Sequence, residues 1–364
     1  MKIGIFTLWQ TKENYGAVLQ CYALIKYLSN RGHDVKLVKN IDAGCKKQSV
    51  FHRIITLICM LFKGKSFPYK ISSTNNTPTK IVDRGFSSFF DKYIPSYQKE
   101  FSSEDLESIQ LDADVLICGS DQVWSTVSPV YYLQMKGSFK RVAYAASFGG
   151  FDIINIFDRK KVSLWMKSFD LITVREQEGI EKCKSLGCKA TVVPDPTLLL
   201  EKSDYLSIAD ENYETGHKPY LLLYLLGNTM ELEVKKIMDF AHNNGLEVKY
   251  VASHGREDKY DKIYPTIEQW LTLYRDAKYV ITNSFHGTVF SLIFEVPFIT
   301  IPLAGCYSRM NGRIEGLLGV INLSERIFSG DLSYLFKPID FEYITRIRID
   351  GRKTVLSLLN SIGI

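Results

Sequence analysis

Asn283-Ser284-Phe285-His286-Gly287-Thr288 places an imidazole, two hydroxyls and a carboxamide between an apolar strand, Tyr279 to Thr282, and an apolar helix. A histidine at a helix start lies among free backbone N–H groups that attract anions, and it can itself carry a proton. The chemistry implied is acid–base work on an anionic substrate, and of the six histidines His286 is the candidate; His254, at another strand end, is weaker. Gly119-Ser120-Asp121-Gln122-Val123-Trp124 follows the apolar run Val115 to Cys118. The polar groups of Ser120, Asp121, Gln122 and the Trp124 indole are costly at the end of a buried strand unless something satisfies them, and a bound carbohydrate would. Asp121 could take a proton from a hydroxyl, although a plain turn cap explains the same residues. Asn14-Tyr15-Gly16, between the first strand and its helix, reads equally as an anion or sugar-hydroxyl contact and as an N-cap. Val193-Pro194-Asp195-Pro196-Thr197 reads first as a rigid hinge. Arg175, Arg309 and Arg313 are cations able to neutralise a phosphate, and each also reads as an ordinary surface or interdomain residue.

These loops need a scaffold that presents strand ends. The chain opens with a strand in Met1 to Trp9, followed by helical spacing over Gly16 to Arg31 and a second strand at Asp34 to Val38. The same alternation recurs with strands at Asp114 to Cys118, Arg141 to Ala146, Leu171 to Val174 and Ala190 to Val193. It lapses over the polar stretch Asp204 to Lys218. It resumes with strands at Tyr220 to Leu226, Glu247 to Val251, Tyr279 to Thr282 and Phe298 to Ile301, separated by helices. The expectation is an α/β protein of two doubly wound, Rossmann-like domains facing a cleft, residues 1–200 and 201–339, with a helical tail, 340–364, returning toward the first domain.

The chain of 364 residues has a net charge of +5, too mild to imply nucleic acid. Aromatics at 13% suit sugar-stacking surfaces but more readily fill thick cores. Seven scattered cysteines point to a reducing cytoplasm, and Cys183 with Cys188 lacks the neighbours of a zinc site, so no metal is expected. Neither a glycine-rich phosphate fingerprint nor a serine nucleophile elbow is present. Within residues 51–65 an apolar run, Ile54 to Phe62, is flanked by basic residues, as in a helix lying on acidic headgroups or, equally familiar, a core helix.

Five blocks in order over most of the chain resemble the polysaccharide pyruvyl transferase family: Asn14 to Gln20, Gly119 to Trp124, Thr173 to Glu176, Asp195 to Leu199 and Ser284 to Thr288, with Pro297-Phe298 behind the last. The resemblance implies a variant of the GT-B glycosyltransferase fold. It also implies transfer of the enolpyruvyl group of phosphoenolpyruvate onto a sugar, giving a pyruvate ketal in cell-surface polysaccharide such as capsule or exopolysaccharide, with no cofactor. In that reading His286 is the general acid or phosphate-activating residue and Asp121 the base. Asn14, Tyr15, Gly16, Ser120, Gln122, Trp124, Arg175, Asn283, Ser284, Gly287, Thr288 and Arg309 contact substrate. Acceptors in such pathways are usually lipid-linked saccharides, which gives a cytoplasmic protein with peripheral membrane contact through 51–65; the oligomeric state is left open. One departure stands out: several members carry an arginine two positions before the histidine, where this chain has Ser284, which leaves three readings: Arg175 or Arg309 supplies the charge, Ser284 and the helix amides suffice, or the donor is a different one. A nucleotide-sugar glycosyltransferase and a non-catalytic saccharide-binding protein remain the rival readings.

Overall fold

The computed structural model describes residues 1–10, 13–41, 82–227 and 232–364. The run at 51–65 lies outside them. Among the described residues the first lobe contains β1 (Lys2–Phe6), β2 (Asp34–Leu37), β3 (Val115–Cys118), β4 (Lys140–Ala146), β5 (Leu171–Val174) and β6 (Thr191–Val192). They form one parallel sheet in the order β2-β1-β3-β4-β5-β6. Its helices are α1 (Tyr15–Ser29), α2 (Phe86–Tyr93), α3 (Ile156–Met166) and α4 (Gln177–Ser185), and the short α5 (Lys202–Leu206) follows β6. The second lobe holds β7 (Tyr220–Tyr224), β8 (Glu247–Val251), β9 (Tyr279–Thr282) and β10 (Phe298–Thr300) in the parallel order β10-β9-β7-β8. Around it lie α6 (Val234–Asn243), α7 (Ile267–Asp276), α8 (Phe285–Phe294) and α9 (Gly312–Val320), and α10 (Phe341–Ser361) closes the chain. Strands such as β3 and β7 are buried along their whole length, as parallel strands covered on both faces must be. The architecture is the expected α/β pair of Rossmann-like lobes of GT-B kind. No described helix is long and apolar enough to cross a membrane.

Both sheets reverse direction beside their first strand, and ligand sites in such sheets lie at the carboxyl ends flanking the reversal. In the first lobe that point falls between β1 and β3, which brings the loop before α1 beside the loop after Cys118. Thr7 joins them: its hydroxyl donates to the Ser120 carbonyl at 3.0 Å and accepts from Gln20 Nε2 at 2.9 Å. In the second lobe it falls between β7 and β9. There Asn283 pins the β7 exit, its Oδ1 accepting from Leu226 N at 2.6 Å and its Nδ2 donating to the Leu226 carbonyl at 2.9 Å.

The lobes share one continuous apolar core. Tyr15 on α1 stacks on Trp270 of α7 with ring centroids 5.2 Å apart and planes 5° from parallel, and Tyr205 meets Phe290 edge-on at 5.0 Å. The aromatic surplus fills this junction. α10 then runs back onto the first lobe: Arg348 donates to the Leu200 carbonyl at 2.9 Å, and Arg352 to the carbonyls of Leu198 and Leu200 at 3.1 and 2.7 Å. Gly351 of α10 faces Pro194 of the first lobe, where a Cβ would sit in ordinary van der Waals contact at 3.4 Å.

Candidate active site at the junction of the two lobes

Asp195 is the hub. It lies just past β6, where its carboxylate caps a single helical turn, Pro196–Leu199, with Oδ1 accepting from Thr197 N at 3.0 Å and Thr197 Oγ1 at 2.7 Å. Tyr144 donates to the Pro194 carbonyl at 3.1 Å and Tyr205 to the Thr197 carbonyl at 2.9 Å, so the segment is held on both sides of the aspartate. Oδ2 then faces Arg175 Nη1 at 3.0 Å, Ser120 Oγ at 3.2 Å and His286 Nε2 at 3.5 Å. The last contact crosses from one lobe to the other. Burial alone would raise the Asp195 pKa, but His286, Arg175 and Thr197 outweigh it and hold the carboxyl well below the ordinary carboxylate range.

Arg175, at the exit of β5, is equally buried and gathers three carboxylates. Besides Asp195, its Nη2 lies 3.5 Å from Asp121 Oδ1 and its Nε 3.8 Å from Glu176 Oε2. Burial opposes its charge, and Asp195, Asp121 and Glu176 more than restore it, so its pKa is raised. Glu176 is anchored through Oε1, which accepts from Ser147 Oγ at 2.8 Å and Phe148 N at 3.3 Å. Three buried polar atoms here lack a hydrogen-bond partner: Arg175 Nε, Glu176 Oε2 and His286 Nε2. Unsatisfied polar atoms gathered in one place mark a site built to receive something polar.

The Asp121 loop is shaped by backbone that few residues tolerate. Gly119 has φ 117°, and a Cβ there would fall 2.2 Å from the Tyr144 carbonyl oxygen. Asp121 itself has φ 70°, and across from it β4 shifts register between Ala143 and Ala146, with Ala145 at φ 45°. Strained backbone and bulges of this kind concentrate at functional sites.

His286 lies in the first turn of α8, whose N-cap is Ser284, its Oγ accepting from Gly287 N at 3.2 Å. The ring packs directly on Gly16 of the other lobe: a Cβ at Gly16 would lie 2.3 Å from the histidine Cβ and Cγ. Next to His286, the Phe285 ring carries two guanidiniums, Arg175 at 4.6 Å and Arg313 at 5.9 Å from its centroid. Arg313, in the first turn of α9, is about nine-tenths buried. Its Nε donates to the Met310 carbonyl at 3.3 Å, and no carboxylate among the described residues comes within ion-pair distance. Burial first, and the neighbouring Arg175 second, pull its pKa down to about 10, so it remains charged at neutral pH.

His286, Asp121, Ser120, Arg175 and Gly16 therefore meet in one cluster. The other sequence candidates are placed differently. Asn14 caps α1, accepting from Ala17 N at 3.3 Å, and Tyr15 is spent in the core, donating to the Pro265 carbonyl at 2.6 Å. Asn283 clamps the β7 exit. Thr288 donates to the Ser284 carbonyl at 3.1 Å and pairs with Thr300 Oγ1 at 2.7 Å, while Gly287 gives Thr282 the room a side chain would take. Trp124 is fully buried, stacked on Tyr132 at 5.5 Å with its indole N–H donating to the Tyr131 carbonyl at 3.1 Å, so it offers no face to a substrate. Gln122 packs against Gly149. Arg309 stands exposed on the rim, paired with Asp152 of the first lobe at 3.2 Å rather than with the cluster. That rim borders a depression of about 330 Å³ lined by Gly150, Asp152, Glu178, Glu181, Lys182 and Arg309. The sequence alone points to a hinge at Asp195, gives Glu176 no role, and offers Arg313 only as one of three cations able to neutralise a phosphate. A carboxylate at a strand exit was the available signal for the first, whose partners Arg175 and His286 are distant in sequence.

Among the described residues no group of histidine, cysteine or carboxylate side chains is arranged to hold a metal. The family model described as polysaccharide pyruvyl transferase matches residues 14–303. No curated protein matches the chain. Among solved structures, the chain is similar to UDP-N-acetylglucosamine 2-epimerase from Rickettsia bellii (12% identity, TM-score 0.47, covering 99% of this chain and 96% of that one). It is also similar to the UDP-GlcNAc 2-epimerase of Methanocaldococcus jannaschii (14%, 0.45, 98% and 99%) and to the glycosyltransferase SnogD from Streptomyces nogalater (10%, 0.38, 98% and 96%). The substrates of those proteins stay with those proteins.

Proposed function

The chain belongs to the polysaccharide pyruvyl transferase family, and from that premise we propose that it transfers the enolpyruvyl group of phosphoenolpyruvate onto a sugar of a lipid-linked saccharide, closing a pyruvate ketal. The observation that carries this reading is a buried arginine without a carboxylate partner, Arg313, lying over Phe285, the residue that precedes a histidine held against an ionised aspartate. A buried unpaired charge is expensive, and an anionic ligand that pairs with it recovers the cost. Arg175 has little positive charge to spare, because three carboxylates already surround it. Arg313 is therefore the cation available to the donor's phosphate. It supplies the charge that Ser284, a neutral helix cap, does not.

Ketal formation must protonate the methylene carbon of the donor, add one sugar hydroxyl to the carbon bearing the phosphate, release phosphate and close with a second hydroxyl. Of the two hydroxyl protons, one ends in the new methyl group and the other leaves with the phosphate. In this scheme His286 delivers the proton to the methylene carbon, with Asp195 fixing the ring's orientation, and Asp121 accepts a proton from the attacking hydroxyl. Arg313 and the free amides at the start of α8 stabilise charge on the departing phosphate. Arg175 keeps Asp121 and Asp195 in place.

Incubation with phosphoenolpyruvate and an oligosaccharide acceptor, read as phosphate release and as product mass, tests the reaction. Consumption of a nucleotide sugar with phosphoenolpyruvate untouched would overturn it in favour of glycosyl transfer. Arg313→Gln is expected to weaken donor affinity about 10- to 100-fold, the worth of one or two charge-assisted hydrogen bonds. An unchanged donor KM in that variant would remove Arg313 from the donor site.

A further inference from the structure

Helix α3 presents a face that a water-exposed helix rarely carries. Val162 and Met166 bury its inner side, whereas Ile156, Phe157 and Leu164 stand 61%, 77% and 68% exposed, with Ile154 just ahead of the helix at 66%. At 3.6 residues per turn, Phe157, Lys160, Lys161 and Leu164 fall on one side, flanked by Ile156 and Lys167. The three lysines are exposed, and none has an ion-pair partner among the described residues. Lys161 lies over the half-buried Trp165 ring, its Nζ 4.7 Å from the centroid. That face bears large apolar groups and positive charge, with the half-buried Asp158 at its edge beyond Lys161 as its one acidic neighbour on the helix.

We propose that this face of α3 docks the protein onto an acidic lipid surface. Apolar side chains flanked by lysines, with a tryptophan at the edge, are the composition of a helix that lies in the headgroup region parallel to the membrane. A second copy of the chain fits less well, because a symmetric contact would set these lysines against their own counterparts. Asp152, four residues ahead of α3, pairs with Arg309 of the second lobe, so docking here brings the rim where the lobes meet down to the surface. The inference needs no enzymatic reading and stands apart from the choice of donor.

The test is co-sedimentation of the full chain with vesicles of phosphatidylglycerol and phosphatidylcholine, with vesicles of phosphatidylcholine alone as comparison. Binding to the acidic vesicles only, weakened by salt, is expected. Lys160→Gln with Lys161→Gln should weaken it about tenfold or more, at roughly 1 kcal/mol per lysine near an anionic surface. Phe157→Ser with Leu164→Ser should lower binding by a similar factor, and exposure of all four side chains leaves the thermal midpoint close to that of the parent. No binding to acidic vesicles overturns the proposal. So does binding that survives both double variants, which would place the contact elsewhere, or a dimer that both variants dissolve without any effect on vesicles.

Discussion

Asp195→Asn removes one charge and changes almost no volume, at the point where the two lobes exchange polar contacts. In the parent, Arg175 has its closest carboxylate oxygen at 3.0 Å on Asp195, and the other two lie at 3.5 and 3.8 Å. An asparagine can keep the bonds from Thr197, but the amide nitrogen it then turns toward Arg175 and His286 meets donors with a donor. Breaking a fully buried ion pair from one side costs about 3–5 kcal/mol. Because Asp121 and Glu176 still attend Arg175, the lower end of that range, about 3 kcal/mol, is expected at neutral pH. Urea unfolding followed by tryptophan fluorescence measures it, and the shared core predicts that both lobes unfold in a single transition. The sign of the pH dependence follows from the depressed Asp195 pKa. A carboxyl held below its unfolded value contributes fully above about pH 4 and loses its contribution only as pH falls through the depressed native value. The part of the gap that Asp195 itself contributes should therefore narrow only in acid below the ordinary carboxylate range, as the carboxyl takes up its proton. A loss under about 1 kcal/mol at pH 7 would refute the view that Asp195 holds Arg175 in place.

Three further substitutions separate chemistry from packing. His286→Ala should abolish turnover while circular dichroism stays that of the folded parent, with some loss of stability because a buried ring facing Asp195 is removed; full activity would remove the imidazole from the mechanism. In Gly16→Ala the new methyl would collide with the histidine ring, so a loss of about 1–3 kcal/mol and a large fall in kcat are expected; a silent variant would show that the two lobes are not in contact there during turnover. Trp124→Phe gives up the indole bond to Tyr131 and should cost about 1 kcal/mol without altering the acceptor KM, and a raised KM would return Trp124 to the substrate site.

The alternation of apolar strands with helical spacing made both sheets legible, because parallel strands covered on two faces must be apolar throughout, as Val115 to Cys118 and Tyr220 to Tyr224 are. Helix ends were less so. The polar loop Asn283 to Thr288 reads as lying ahead of its apolar helix, but the first turn of α8 already starts at Phe285 because Ser284 supplies the cap. The C-terminal tail, expected to be helical, is one unbroken helix, α10, from Phe341 to Ser361. His286 and Asp121 could be picked out locally, as polar groups behind buried strands. Asp195 could not, because its role comes from Arg175 and His286, 20 and 91 positions away, and flanking prolines signal only stiffness. Arg309 and Arg313 look alike in sequence. What separates them is that one reaches the rim and finds Asp152, whereas the other begins a helix turned inward against Phe285.

The Asp195–His286 contact gives the fold a divisible ionic centre. A chain severed in the polar stretch between Leu206 and Tyr220 would leave the aspartate on one fragment and the imidazole on the other, and the second fragment would carry α10, whose arginines grip Leu198 and Leu200 of the first. Each piece would be inert by itself, and their mixture would recover turnover in proportion to how firmly that C-terminal clasp rejoins them.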